Sequence, residues 1–271
     1  MEDPRWARSW LFVPGDRPDR FGKAEASGAD VVIVDLEDAV APGAKEVARR
    51  HVAAWLRAGN RVAVRVNGVA TPWFADDIAA LVVTPPLAVV LPKVESASEV
   101  AAVRAVLPVP VLPTVESARG MLELSEVCRA EGTCRIVFGS QDFAIDAGID
   151  PDCVEAAAAT RSWLVLASRA HGLPGPIDGP TRAWDDPQAV ADAVRLARRM
   201  GLTGKLCIHP AQVAPTRQGF APPPEEVAWA RRVVANGARG AVRVGSEMVD
   251  KPVLDRAERI LREAGGTVGD G

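Results

Sequence analysis

The stretch VVIVDLEDAV, residues 31–40, joins a run of four β-branched residues to three acidic ones. Four consecutive β-branched residues are typical of a parallel strand that is buried on both faces. The carboxylates that follow cannot all enter the core, because burying an unpaired charge is costly. The stretch therefore predicts a buried strand whose carboxyl end, with Asp35, Glu37 and Asp38, opens on a polar site.

Further short apolar runs repeat along the chain, and helical stretches separate several of them. Spacings of roughly 20 to 35 residues between such runs are typical of βα units. No G-x-G-x-x-G motif follows any run, so the sequence favours an α/β fold of the TIM (β/α)₈ barrel type over a dinucleotide-binding sheet. The eight predicted strands are residues 9–14, 31–37, 61–67, 87–93, 109–116, 135–140, 175–180 and 205–210.

The pattern changes after the eighth predicted strand. A proline-rich linker, GFAPPPEE, leads into two amphipathic helical stretches. We expect a (β/α)₈ barrel catalytic domain over residues 1–215 and a C-terminal linker with a helical arm over residues 216–271. The arm is expected to act as a lid and to pack on a neighbouring subunit.

Composition narrows the class of partner. The chain has 271 residues, is 48% hydrophobic and carries a formal charge of −3, with acidic and basic residues well mixed, so no surface for nucleic acid is indicated. No apolar run approaches the roughly 18 residues of a membrane span. The four cysteines form no C-x-x-C pair and are interpreted as reduced packing residues. We therefore expect a cytoplasmic protein that acts on a small molecule, with no membrane partner.

Catalytic groups of a TIM barrel lie at the carboxyl ends of its strands, so the sequence predicts which side chains line the site. Many carboxylates without a cluster of His or Cys favour a hard cation such as Mg²⁺ over Zn²⁺. An Arg inside an apolar strand requires a buried anionic partner. The side chains at the predicted strand ends are Asp35, Glu37, Asp38, Arg65, Asn67, Lys93, Glu95, Glu116, Asp142 and His209.

A repeated motif leaves undecided which of two Glu residues is the functional carboxylate. LPKVES (91–96) and LPTVES (112–117) end consecutive predicted strands, so periodicity does not decide between Glu95 and Glu116. Glu116 could also merely complement the dipole of the helix that follows it, and Asp142 could be a loop or cap residue. His209, before Pro210, has a structural interpretation as a strand-end residue.

The motifs, taken in order, also resemble a known family. The opening RSWLFVPGDRPDRFGKAEASGADVVIVDLEDAV is similar to the start of the citrate lyase beta subunit and its stand-alone relatives, which include malyl-CoA and citramalyl-CoA lyases. The likeness continues through RVN, LPKVES, VESARG, FGSQDF, GKLCIHPAQV and MVDKPVL, and so covers nearly the whole chain.

The resemblance implies a Mg²⁺-dependent lyase, a homotrimer or hexamer, that breaks or makes a carbon–carbon bond between an acyl-CoA and a 2-oxo acid. The acyl-CoA is acetyl-CoA or a related thioester, and the acid is oxaloacetate, pyruvate or glyoxylate. The same resemblance implies roles for individual residues: Glu116 and Asp142 as metal ligands, Arg65 at the thioester, Asp250 as the catalytic acid from a neighbour's arm, and Phe12, Arg17 and Lys23 at the CoA portion.

With the metal on Glu116 and Asp142, the acids that follow the second strand take other roles. We expect Glu37 and Asp38 to contact the waters that Mg²⁺ retains, and Asp35 to pair with a basic side chain.

Three alternatives stay open. The chain could be the beta subunit of a citrate lyase complex acting on citryl-acyl carrier protein, a non-catalytic barrel subunit, or an enzyme like phosphoenolpyruvate mutase. Ser117 stands where many members of the resembled family carry Thr, and the loop DGPTRAWDDPQ (178–188) differs from several members, which leaves the acid undecided.

Overall fold

Eight strands, all paired in parallel, close into a barrel in chain order, and the eighth pairs with the first. The computed structural model describes residues 3–151, 153–237, 242–244 and 247–264. The predicted TIM barrel is therefore confirmed. The strands are β1 (Ser9–Pro14), β2 (Val31–Asp35), β3 (Ala63–Arg65), β4 (Ala88–Leu91), β5 (Val111–Val115), β6 (Val137–Phe138), β7 (Ile177–Asp178) and β8 (Gly204–Cys207).

Helices follow the strands around the barrel. The helices are α1 (Phe21–Ala26), α2 (Lys45–Arg57), α3 (Phe74–Val82), α4 (Ala97–Arg104), α5 (Ala118–Leu122), α6 (Leu124–Arg129), α7 (Ser140–Asp146), α8 (Val154–Ala170), α9 (Pro187–Met200) and α10 (Val213–Phe220).

The core has two layers, which alternate along each strand. In β2, Val31 and Ile33 belong to a cluster formed by side chains from all the strands, which fills the barrel interior. Val32 and Val34 belong to a larger cluster that includes residues of the surrounding helices. The strand is thus buried on both faces, and the period of two places Asp35 on the interior face with Ile33.

β1 has its predicted bounds, whereas the other seven strands are shorter than predicted, and β2 shows the reason. The prediction ran to Glu37, but the strand ends at Asp35. The Asp35 carboxylate accepts hydrogen bonds from the backbone N–H groups of Glu37 at 2.9 Å and Ala39 at 3.1 Å. This local side-chain turn competes with strand pairing and ends it.

The chain divides into two compact units, Met1–Arg217 and Gln218–Gly271. The second contains α11 (Pro224–Gly237), an antiparallel pair of strands, β9 (Val242–Val244) and β10 (Glu247–Val249), and α12 (Lys251–Glu263). Its own core includes Ala230, Val233, Val249, Ala257 and Ile260. Among the described residues, no helix combines the length and the apolar character that crossing a membrane requires.

Candidate functional site

Asp35 and Arg65 form a buried ion pair at the mouth, the end of the barrel where the carboxyl ends of the strands lie. Arg65 Nε donates to Asp35 Oδ1 at 2.7 Å and Nη2 donates to Oδ2 at 2.6 Å. Asp35 is only 1% exposed. The two parallel hydrogen bonds fix the plane of the guanidinium, so Arg65 has a defined orientation.

The remaining Arg65 contacts leave it charged and facing the mouth. Its Nη1 lies 3.0 Å from Glu37 Oε2, and its guanidinium carbon lies 4.6 Å from the centre of the Phe12 ring. Burial acts to lower the pKa of Arg65, but the hydrogen bonds and charge of Asp35 outweigh it, and the pKa is raised. Arg65 thus presents a permanent positive charge at the mouth.

Lys93 contacts three carboxylates of the mouth. Its ammonium lies 2.6 Å from Glu37 Oε1 and 3.7 Å from Asp38 Oδ1. Its backbone N–H donates to Glu116 Oε1 at 2.6 Å. Burial raises the pKa of Glu37, although the charge of Arg65 and the hydrogen bond from Lys93 oppose this effect.

Glu116, directly after β5, is 5% exposed and lies among other acids. Burial raises its pKa to about 8, and the negative charges of Glu37 and Asp142 contribute. Asp142 is in the first turn of α7, close enough for a side-chain hydrogen bond with Glu116. We call Glu37, Glu116 and Asp142 the carboxylate cluster.

The structure separates the two Glu residues of the repeated motif. Glu95 Oε1 accepts a hydrogen bond from Ser117 Oγ at 2.6 Å, and Ser117 in turn caps α5 by accepting from the Gly120 N–H. Glu95 is therefore engaged with the start of α5, whereas Glu116 lies in the carboxylate cluster. Glu95 and Ser117, whose hydrogen bond distinguishes the two copies of the motif, are 22 residues apart along the chain.

Gly139 provides the space that Glu116 occupies. A Cβ at this position would collide with Glu116 Oε2 and Cβ. The close approach of backbone to carboxylate therefore requires glycine.

Replacing Gly139 with Ala is expected to lower the free energy of unfolding by about 1–3 kcal/mol, as overpacking does elsewhere. Urea denaturation measures the change. Gly68→Ala is a matched control, because the nearest atoms to an added Cβ there lie at 3.9 Å, an ordinary contact. Equal destabilisation by both substitutions would contradict the steric argument.

The three residues predicted at a CoA portion lie on or after β1. Phe12 packs under Arg65. Arg17 is half-exposed and its guanidinium pairs with Asp19, with hydrogen bonds of 3.0 and 2.9 Å. Lys23 is exposed on α1. Both basic groups are accessible to an anionic ligand.

Asp250 belongs to the second unit and is exposed. It is the N-cap of α12, where its Oδ1 accepts from the Val253 N–H at 3.1 Å. His209, in the barrel unit, also has a structural contact: its Nδ1 accepts from the Ala211 N–H at 3.2 Å, and its ring lies 4.5 Å from that of Trp184.

Sequence reasoning missed a buried lysine behind the cluster. Lys45 Nζ donates to the carbonyls of Leu36 at 2.9 Å and Glu37 at 3.0 Å, and lies 4.9 Å from the Trp73 ring centre. Burial lowers the pKa of this lysine. These two hydrogen bonds hold the turn that carries Glu37 in place. Lys45 is the first residue of a helix, and no local sequence pattern distinguishes it from an ordinary residue at that position.

A second missed group lies at the ends of β7 and β8. Asp178 is fully buried and binds Arg161 Nε at 2.8 Å and Lys205 Nζ at 3.0 Å. Burial acts to raise the pKa of Asp178, but the two cations outweigh it, and the pKa is lowered. With its charge fully paired, Asp178 has a structural role.

The carboxylate cluster suits a hard divalent cation. Like charges held together in a buried site favour bound positive charge. The pKa of Glu116 is raised mainly by burial, and the charges of Glu37 and Asp142 add to this effect. Among the described residues, His, Cys, Asp and Glu form no group of three or more that could hold a metal ion. Mg²⁺ does not need one, because it keeps several waters and binds through one or two carboxylates.

Comparisons with known proteins identify relatives of this chain. A model of the HpcH/HpaI aldolase/citrate lyase family matches residues 8–210. The chain is 38% identical over 264 residues to a citrate lyase subunit beta-like protein of Mycobacterium tuberculosis, covering 94% of this chain and 95% of that one. It is 37% identical over 270 residues to a (3S)-malyl-CoA thioesterase of Cereibacter sphaeroides, covering 95% and 94%.

A solved structure is also similar throughout. The crystal structure of CitE from Mycobacterium tuberculosis in complex with magnesium, acetoacetate and coenzyme A superposes with a TM-score of 0.84 at 37% identity. The match covers 96% of this chain and 99% of that one. Because both the family model and these relatives extend over most of the sequence, the chain belongs to the HpcH/HpaI aldolase/citrate lyase family.

Proposed function

We propose that this lyase, with Mg²⁺ as cofactor, cleaves a 3-hydroxy-acyl-CoA to acetyl-CoA and a 2-oxo acid, or performs the reverse condensation. Candidate substrates are citramalyl-CoA, malyl-CoA and a citryl thioester, which would release pyruvate, glyoxylate and oxaloacetate. The observation that carries the proposal is the placement of Arg65 beside the carboxylate cluster at one end of the barrel.

In this proposal Glu116 and Asp142 hold the metal, and Glu37 and Asp38 accept hydrogen bonds from its waters. Mg²⁺ bound there would orient the 2-oxo acid and polarise its oxygens as a Lewis acid. Support comes from the buried, charge-crowded position of Glu116 and from the similar M. tuberculosis protein, whose structure contains magnesium and acetoacetate.

Arg65 would stabilise the enolate that cleavage leaves on the thioester. Negative charge develops on the thioester oxygen as the carbon–carbon bond breaks, and a fixed cation is most effective where charge develops. The bidentate pair with Asp35 holds the guanidinium in place before the substrate arrives. Phe12, Arg17 and Lys23 would hold the CoA portion, whose phosphates suit the two accessible basic groups.

Metal binding is expected to release a proton and to strengthen with pH. Because the pKa of Glu116 is raised to about 8, much of this carboxyl is protonated at neutral pH and must lose its proton to bind Mg²⁺. Affinity should therefore rise from about pH 6 to about pH 8 and then level off. Calorimetric titration in two buffers of different ionisation enthalpy counts the protons, and an affinity that is flat with pH would contradict the prediction.

We propose that Asp250 is the catalytic acidic residue, supplied by the C-terminal arm of a neighbouring subunit in a homotrimer or hexamer, and that its carboxylate acts as a base during cleavage. It would take the proton from the substrate hydroxyl during cleavage. Asp250→Asn is expected to lower kcat about 10²–10⁴-fold. Asn keeps the capping hydrogen bond of α12, so the melting temperature should change little.

Mixing experiments test whether the site is shared. Inactive Asp250→Asn and inactive Glu116→Gln protein, mixed so that subunits exchange, are expected to regain activity, since some sites then combine an intact cluster with an intact arm. If activity does not recover although subunit exchange is proven, the shared site is wrong. Either Asp250 and Glu116 of one chain then belong to the same site, or Asp250 is not part of the site.

Substrate assays test the reaction itself. Purified protein with Mg²⁺ is incubated with citramalyl-CoA, malyl-CoA and citryl-CoA, and both free 2-oxo acid and free CoA thiol are followed. Release of 2-oxo acid without free CoA is expected. Free CoA without 2-oxo acid would indicate thioester hydrolysis, the activity named for the C. sphaeroides relative. No turnover in either direction would overturn the proposal, and turnover only with a citryl-acyl carrier protein would indicate a citrate lyase complex.

A further inference from the structure

Two copies of one sequence motif have different backbone conformations at the mouth. In LPTVES (112–117), the strand continues through Thr114 to Val115. In LPKVES (91–96), β4 ends at Leu91, and Lys93 has a φ of 54°. Lys93 is the one residue other than glycine with a positive φ among those that the structure describes. Such a conformation is disfavoured for a side-chain-bearing residue and is maintained only when surrounding contacts impose it.

Neighbouring segments impose this conformation on Lys93. The N–H of the next residue, Val94, donates to the Thr114 carbonyl of β5 at 3.1 Å. The Val94 carbonyl lies so close to Gly120 that a Cβ there would be only 2.5 Å from its oxygen. The turn is therefore held between β5 and the start of α5.

The backbone and the side chain of Lys93 contact different carboxylates. The N–H donates to Glu116 Oε1 at 2.6 Å, a hydrogen bond to a buried carboxylate. The ammonium instead lies 2.6 Å from Glu37 and is on a side chain that is 53% exposed. Glu116 is thus oriented by a main-chain donor whose direction depends on the φ of residue 93, whereas the ammonium is at the edge of the cluster.

We infer that Lys93 is a positioning residue for the metal ligand Glu116, and that its left-handed backbone rather than its positive charge performs this role. The N–H holds one carboxylate oxygen and so fixes the direction in which the carboxylate meets the cation. The inference rests on the proposed function, since it takes Glu116 as a ligand of Mg²⁺.

Three substitutions of one residue separate backbone from charge. Lys93→Val disfavours the left-handed conformation most strongly and is expected to weaken Mg²⁺ binding about tenfold. Lys93→Gly removes the side chain but adopts a positive φ readily, so its affinity should stay within about fivefold of the wild type. Lys93→Met keeps an unbranched side chain without the charge and should also stay within about fivefold, because the ammonium is half-exposed and Glu37 keeps its contact with Arg65.

Calorimetric titration with MgCl₂ gives the affinities, and circular dichroism and thermal melting report on folding. If Lys93 had a purely structural role, the Mg²⁺ affinity of the variants would fall in step with their melting temperatures. We instead expect Lys93→Gly to bind Mg²⁺ well even if its melting temperature is lower. If Lys93→Val does not fold, Lys93→Ala takes its place, with a smaller loss of affinity expected.

The outcomes distinguish this inference from the proposed function. If the wild type does not bind Mg²⁺, or if Glu116→Gln binds it equally well, the proposed metal site is wrong. If the wild type binds Mg²⁺ and Glu116→Gln does not, the proposed metal site is supported. The Lys93 variants then test the role of Lys93 separately. Unchanged affinity in both Lys93→Val and Lys93→Ala would overturn the inference, as would an equal loss in Lys93→Met and Lys93→Val, which would assign the effect to the ammonium.

Discussion

Replacing Glu116 with Gln is expected to abolish Mg²⁺-dependent turnover, with a fall in kcat of about 10³-fold or more, since a metal contributes several kcal/mol to such a transition state. The same change should not destabilise the protein. Glu116 is 5% exposed, and its raised pKa shows that its negative charge is unfavourable in this position. A neutral amide of similar shape removes the cost of a buried charge, so the variant should melt at or above the wild-type temperature.

Glu95→Gln is the matched control for this substitution. Glu95 occupies the corresponding position in the other copy of the motif but accepts a hydrogen bond from Ser117 outside the cluster. Its turnover should stay within about tenfold of the wild type, as expected for a residue that does not touch the reacting atoms. Retained Mg²⁺-dependent activity in Glu116→Gln would remove Glu116 from the proposed ligands.

Replacing Arg65 with Met is expected to reduce both activity and stability. Loss of the donor to the enolate should lower kcat about 10²–10³-fold. Loss of the cation also leaves Asp35, which is 1% exposed, without its bidentate partner. Removing one partner of a buried ion pair costs about 3–5 kcal/mol, which urea denaturation would detect as a lower midpoint.

The double substitution Arg65→Met with Asp35→Asn separates these two effects. It removes the unpaired charge, so it should regain much of the lost stability without regaining activity. Arg65→Lys keeps a positive charge but cannot form the two parallel hydrogen bonds, and an intermediate kcat is expected. Recovery of activity in the double variant would show that Arg65 acts only by partnering Asp35.

A common feature of this mouth is that its charges are matched between strands rather than within them. Asp35 pairs with Arg65 of the next strand, and Glu37 pairs with Lys93 two strands away. The backbone of Lys93 then contacts Glu116 of the following strand. A change at one of these residues is therefore expected to alter its neighbours, and double substitutions are the appropriate measurement.

The sequence by itself determined the barrel and the order of its strands. It also predicted many of the charged side chains at the mouth, but it missed Lys45 and Asp178. Strand faces alternate with a period of two, and parallel strands have their carboxyl ends at one edge. A stretch such as VVIVDLEDAV therefore specifies its layer and its polar end from local pattern alone. The ordered motifs also indicated the family, which the family model confirms.

Only the tertiary structure decided which of those side chains meet. Glu95 and Glu116 end two copies of one motif, but Lys93 has a positive φ whereas Thr114 stays in its strand. Glu95 binds Ser117, and Glu116 lies in the carboxylate cluster. Asp35 finds Arg65 across 30 residues of chain. Local pattern fixes the face on which a residue lies, but the pairing of charges depends on distances between segments remote in sequence, and these distances exist only after the barrel has closed.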